Sequence, residues 1–180
     1  MNKPNSLLID HAHSQLEEVI ENLGTVASGR VKLDFWHSDL LVKAIEQSQN
    51  RILAVSPVDI DEEWWNSSIG KKYLDAHREA INRGVSITRI FLIEELTQSI
   101  KNIMDQQVDI GISISYISVN ELPVELQDAF VIFDDHYLHR TISEQKGDQH
   151  NIFSVNPNDI SKYQRNFSRL LSLTTPYREN

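Results

Sequence analysis

Residues 127–140, QDAFVIFDDHYLHR, gather many of the side chains in this 180-residue chain that could do chemistry. An apolar run ends in Asp134 and Asp135, and His136, His139 and Arg140 follow at close spacing. Carboxylate and imidazole side by side can shuttle protons as general acid and base. The same donor types suit zinc, manganese or iron. Strand periodicity weighs against a metal, because successive strand residues point to opposite faces and His136 and His139 differ in parity. One strand cannot converge all four groups, so no metal is expected. Asp134, His136 and His139 stay as candidates for acid–base work, beside the plainer account of one turn residue and one solvent-facing strand residue.

A second group lies upstream. Asp59, Asp61, Glu62 and Glu63 precede Trp64 and Trp65. Adjacent tryptophans cannot both enter a core from one regular helix. Either one of them lines a surface cleft or interface, where tryptophan is favoured, or a loop folds both rings over the sheet edge. The loop follows a strand, and ligands of open α/β sheets sit beyond the carboxyl ends of strands. Tyr73 and His77 are four apart on one helix. Arg89 stands among Val85, Ile87 and Phe91, where an unpaired charge is costly. It is expected to find a carboxylate, with Asp134 as one candidate, or an anionic ligand. Trp64, Trp65, Tyr73, His77, Arg89 and Asp134 are therefore the candidate ligand-binding residues. His11 and His13, two apart on a helix, read as surface residues. No Gly-rich phosphate loop and no Gly-x-Ser-x-Gly elbow appear.

The elements that must position these groups follow from periodicity. Residues 7–23 have a helical apolar face, with Ser6 as N-cap and Gly24 as stop. A short strand around Val31 and Leu33 lies in the connector that follows. A helix over 39–49 turns Leu40, Leu41, Ala44 and Ile45 inward. ILAVS (52–56) reads as a buried strand, and 59–68 as a loop. The helix IGKKYLDAHREAINRG stops at Gly84. Strand 85–93, helix 94–108 and strand 112–119 come next, then a turn or short helix at ELPVELQ. FVIFD (130–134) and YLHRTI (137–142) form an antiparallel pair across a tight turn. SEQKGDQH is a polar loop, 151–155 a last strand and 158–171 a last helix, capped by Asn156 or Asn158. The alternation implies an α/β layer fold with a mixed sheet and helices on both faces. Two parts are expected: an N-terminal helical extension over 1–30 and an α/β domain over 31–176.

Composition bounds the rest. The chain is 40% hydrophobic and 24% charged, with a formal net charge of -9. Such a charge disfavours direct nucleic-acid binding, since phosphate contacts need surplus lysine and arginine. The absence of cysteine excludes disulfides, thiolate metal sites and cysteine nucleophiles. No run approaches the ~18 apolar residues of a membrane span. The first residues lack a signal-peptide core, so a cytoplasmic protein is expected.

Two phrases carry a family resemblance. In KYLDAHREAINRGVSITRIFL, Arg83, Gly84 and Val85 lead from helix to strand; in the opening stretch, Asp134 closes FVIFD before a hairpin. Over roughly residues 35–173 the chain resembles the phospholipase D-like superfamily. Active members carry His-x-Lys, then four residues, then Asp. Counted back from Asp134, those positions hold Gln127 and Ala129; counted from Asp135, they hold Asp128 and Phe130. The family chemistry needs an imidazole to attack phosphorus and a cation beside the phosphate oxygens. No His-x-Lys occurs in the sequence. The resemblance thus implies a catalytically silent relative acting in regulation through a protein contact or a small ligand, without a cofactor. It further implies a homodimer, because active members join two motif halves. The alternative is a hydrolase or phosphodiesterase that uses Asp134, His136 and His139 in the same cleft. A small-molecule sensor with the Trp64/Trp65 loop as lid is a third reading.

Overall fold

The computed structural model describes residues 24, 26–33, 38–57, 62–145 and 148–178. The expected helix at 7–23, with His11 and His13, and the acidic residues Asp59 and Asp61 lie outside them. Eight strands form one mixed sheet in the order β1-β7-β6-β5-β2-β3-β4-β8. They are β1 (Arg30–Leu33), β2 (Arg51–Pro57), β3 (Ser86–Ile93), β4 (Ser113–Ser118), β5 (Ala129–Phe133), β6 (Tyr137–Gln145), β7 (Asp148–Ser154) and β8 (Thr175–Pro176). Strands β2, β3 and β4 run parallel; β5 pairs antiparallel with β2, and β6, β7 and β1 follow, each antiparallel to the strand before it.

Period-two alternation divides the core. On one face Ile52, Ala54, Ile87, Phe91, Ile114, Val131 and Phe133 pack under helices α1 (Ser38–Gln47), α3 (Ser68–Asn82) and α4 (Gln98–Asp109) and the short α2 (Glu62–Asn66). On the other, Val55, Ile90, Leu92, Phe130, Ile132 and Leu138 meet Ile160, Tyr163, Phe167 and Leu170 of α5 (Pro157–Leu171). Burying both faces explains why β2 and β3 read as continuous apolar runs.

Local chemistry fixes the ends. After α3, Gly84 takes φ +93°. Val85 N–H donates to Ala80 O and Gly84 N–H to Ile81 O, a Schellman stop that favours glycine. The Arg83 guanidinium donates to the last carbonyls of α1, at Ile45 and Glu46. Asn156 caps α5 by accepting from Asn158 N–H. Arg30 binds Asp159 through Nε and Nη2 at 2.6 and 2.8 Å, which ties β1 to the start of α5.

Several boundaries differ from expectation. Leu40 is exposed and Val42 takes the inward place beside Leu41 and Ile45. Part of the expected 59–68 loop is α2. Residues 94–97 precede α4, and Thr97 caps it by accepting from Ile100 N–H. The expected polar loop 143–150 is mostly strand, since β6 runs to Gln145 and β7 starts at Asp148, the two paired antiparallel. Among the described residues no helix is long and apolar enough to cross a membrane.

Candidate functional site

The opening stretch does not form one site. Asp134 and Asp135 occupy left-handed φ of 49° and 62°, and His136 N–H donates back to Phe133 O at 2.9 Å. Short polar side chains tolerate such φ values better than others do. The Asp134 carboxylate accepts from three successive backbone N–H groups, of Gln49, Asn50 and Arg51, at 2.6, 2.8 and 2.9 Å. Partial burial pushes this carboxyl up, but the three donors together outweigh that and hold it below the usual carboxylate value. Asp135 takes a two-point ion pair from Arg51, at 3.1 and 2.7 Å. Both aspartates thus fasten the β5–β6 turn to the α1–β2 connection.

His136 is exposed in that turn. His139 is buried on the sheet face, against the Phe153 ring, with Nε2 3.1 Å from Asn151 Oδ1. Burial pushes His139 down to about 4, although the Asn151 contact raises it. Asp134 and the exposed His136 share the turn, where the imidazole helps to lower the carboxyl, whereas His139 is buried apart from them on the sheet face. Among the described residues no cluster of acidic and histidine side chains could hold a metal ion.

Gln127 and Ala129 lie at the other end of β5. Phe130 pairs with Val55 near the carboxyl end of β2, whereas Phe133 pairs with Ile52 near its start. The Gln127 amide Nε2 donates to Val119 O and Leu122 O, at 3.1 and 2.9 Å, and so braces the 3-10 turns before β5. Ala129 faces Thr141 across β5–β6, and Thr141 donates to Asn151 Oδ1 at 3.1 Å. In the other register, Asp128 accepts from Tyr163 Oη at 3.0 Å and Phe130 is core.

The upstream candidates do meet. Trp65, Tyr73, His77 and Arg89 surround one another on the face of β3 that carries Ile87 and Phe91. Arg89 and His77 are fully buried. Arg89 Nη2 lies 3.3 Å from Tyr73 Oη and 3.2 Å from His77 Nε2. Its guanidinium sits 5.2 Å from the Trp65 ring centre and 5.5 Å from that of Tyr73. His77 Nδ1 is 2.7 Å from Tyr73 O. That carbonyl can only accept, so Nδ1 carries the proton and Nε2 accepts from Arg89. Burial first, and the Arg89 charge second, push His77 down to about 3, so the ring is neutral near pH 7.

The tryptophans divide as one of the two expectations had it only in part. Trp65 is buried, and Trp64 is half-buried with its ring edge-to-face on Trp65 at 4.8 Å. Gly70 makes this possible: a Cβ there would stand 2.2 Å from Trp64 O and 2.7 Å from Trp65 O. Ser67 joins the two helices, accepting from Gly70 N–H and donating to Trp64 O.

The expected carboxylate partner of Arg89 is absent among the described residues. Asp134 lies at the amino end of β2, committed to backbone N–H groups, while Arg89 is mid-strand opposite Ala54 and Ile114. Arg89 Nε and Nη1 have no hydrogen-bond acceptor, and neither has Trp65 Nε1. Gln107, wholly buried on α4, also leaves both amide atoms unpartnered. Sequence reasoning passed over Gln107, although its spacing from Ile103 and Met104 placed it on the inward face.

No family model and no curated protein matches the chain. Solved structures do. One is Nuc from Salmonella typhimurium, a phospholipase D family member, with a TM-score of 0.60 at 15% identity over 78% of this chain and 90% of that one. NucT from Helicobacter pylori gives 0.58 at 10% identity, over 82% and 98%. TrmBL2, an archaeal chromatin protein whose structure shows a mode of DNA binding, gives 0.59 at 12% identity, over 97% and 71%. The chain has the phospholipase D-like fold.

Proposed function

We propose that this phospholipase D-like domain is non-catalytic and works in regulation, as a ligand-sensing or interaction module that dimerises. One observation carries the reading. The resemblance assigns the attacking imidazole and its neighbouring ammonium to positions 127 and 129, where an amide and a methyl group stand. An amide is a poor nucleophile and a methyl group cannot neutralise developing phosphoryl charge. Two further features support it. The Gln127 side chain is engaged with backbone carbonyls, and the retained Asp134 is engaged with backbone N–H groups, so each has a folding role. The likeness to a DNA-binding chromatin protein concerns the fold, and a net charge of -9 opposes non-specific phosphate binding here.

The test is hydrolysis of a phosphodiester and phosphomonoester panel, including bis(p-nitrophenyl) phosphate, at micromolar protein. No turnover above a heat-inactivated control is expected. Turnover that is lost on His139→Gln substitution would establish the hydrolase alternative instead. Light scattering at the same concentration is expected to return twice the chain mass; a single-chain mass would remove the dimer.

A further inference from the structure

We infer that residues 174–178 are a displaceable strap, which keeps the β4 edge of the sheet from pairing with the β4 edge of a second copy. β4 reads SISYIS, with neither charge nor proline. A neutral strand at a sheet edge offers its backbone N–H and C=O groups to any other strand. Proteins blunt such edges with charges, proline or a very short edge strand. Here the covering strand is β8, two residues that pair with Ser115 and Tyr116. Tyr177 N–H then donates to Ile114 O at 3.0 Å. Backbone groups alternate in direction along a strand, so Pro176 turns its own nitrogen to the outer side. That nitrogen has no hydrogen, and the sheet ends on a residue that cannot donate to a further strand.

The strap is held lightly. Tyr177 Oη donates to Asp105 of α4 at 3.0 Å, and the Tyr177 ring stands edge-on to that of Tyr116 at 6.5 Å. Arg178 pairs with Asp105 and Asp109, but the side chains of the three are 49%, 37% and 71% exposed, and exposed pairs hold weakly. Thr175 and Pro176 are themselves exposed. Beside them lies an open cleft of about 420 Å³, lined by Thr88, Ser113, Ser115, Leu171 and Pro176 among others. A gap thus stands where a fixed edge strand would bury side chains. Few buried contacts and exposed backbone bonds mark a segment that opens at low cost. The occupant of the opened edge is a second β4, because two-fold pairing sets the same uncharged strand against itself and no like charges on it oppose one another. The net charge of -9 slows the approach of two copies, and physiological salt screens it.

Hydrogen exchange on the wild-type protein tests the opening. The Tyr177 amide is expected to exchange about a hundredfold faster than that of Ile90 in mid-sheet; equal protection of the two would overturn the inference. Light scattering at physiological salt, over rising protein concentration, tests what the strap guards. The wild-type mass should stay constant, whatever its value, so the comparison does not depend on the dimer proposed above. The double variant Tyr177→Ala/Arg178→Ala removes the side chains that fasten the strap, and its mass should climb to at least double that of wild type. Adding Ser113→Lys to this variant puts a charge on the β4 edge and should restore the wild-type mass. A variant mass that does not rise would overturn the inference. So would a rise that Ser113→Lys fails to reverse, which would assign the association to the exposed Leu171 and Leu173 instead. The exchange measurement needs no variant, so it decides the matter even if the double variant fails to fold.

Discussion

Asp134 and Arg89 are both charged residues placed by the central strands, and the fold treats them in opposite ways. Asp134, at the amino end of β2, has three backbone N–H groups converging on its carboxylate. Arg89, mid-strand on β3 and fully buried, has one nitrogen engaged and two idle. The first is a finished structural device. The second is a buried guanidinium flanked by the rings of Trp65 and Tyr73, with no carboxylate partner among the described residues. A carboxylate at the end of a strand can therefore be committed to backbone donors, while the charge with idle donors lies mid-strand.

The largest expected contrast is in acid. His77 beside Arg89 is pushed down to about 3, and His139 to about 4, from an ordinary 6.5. Between those values the unfolded chain binds more protons than the folded one, so stability falls as pH drops below about 6.5. Each histidine contributes a slope of at most about 1.4 kcal/mol per pH unit. The Asp134 carboxyl is lowered, so its contribution persists down to the ordinary carboxylate range of about 3.9 and is lost as pH falls further. Urea unfolding at pH 7, 6 and 5 should show a steady decline that His77→Gln flattens. A profile unchanged by that substitution would break the distinction between the two regions.

Next is Asp134→Ala, which leaves three backbone donors to water and removes a residue suited to φ 49°. A loss of about 2 kcal/mol is expected by chemical denaturation. A smaller effect belongs to Asp135→Ala, which shares the left-handed backbone cost at φ 62° but breaks only a solvent-exposed pair with Arg51. Exposed pairs contribute less than about 1 kcal/mol. Equal losses for Asp134→Ala and Asp135→Ala would show that the capping role assigned to Asp134 is wrong.

Much of the layer architecture was legible because it is written locally. Apolar runs marked β2 and β3, and the Arg83-Gly84-Val85 phrase marked the stop of α3. The cap of α5, expected at Asn156 or Asn158 and found at Asn156, also rests on short-range chemistry. The failures have a common cause in distance along the chain. The pairing of β6 with β7 past residue 143 is made by backbone groups under a polar composition that reads as loop. β8 is two residues long and has no periodicity to detect. The Asp134 contacts bridge 83 to 85 positions, so nothing local separated a cap from a catalytic acid. The burial of Arg89 followed from its apolar neighbours. That no carboxylate among the described residues meets it could not follow, because that depends on which strands and helices surround it.

The most direct test of the contrast is the unfolding free energy of Arg89→Met against wild type in chloride buffer at pH 7.5. Replacing a buried, unmatched guanidinium with an apolar chain of similar length should raise stability, by about 1–3 kcal/mol, despite the lost contacts to Tyr73 and His77. A variant less stable than wild type would mean that Arg89 is a structural cation already satisfied by its aromatic neighbours, and the account of an unmatched charge would be wrong.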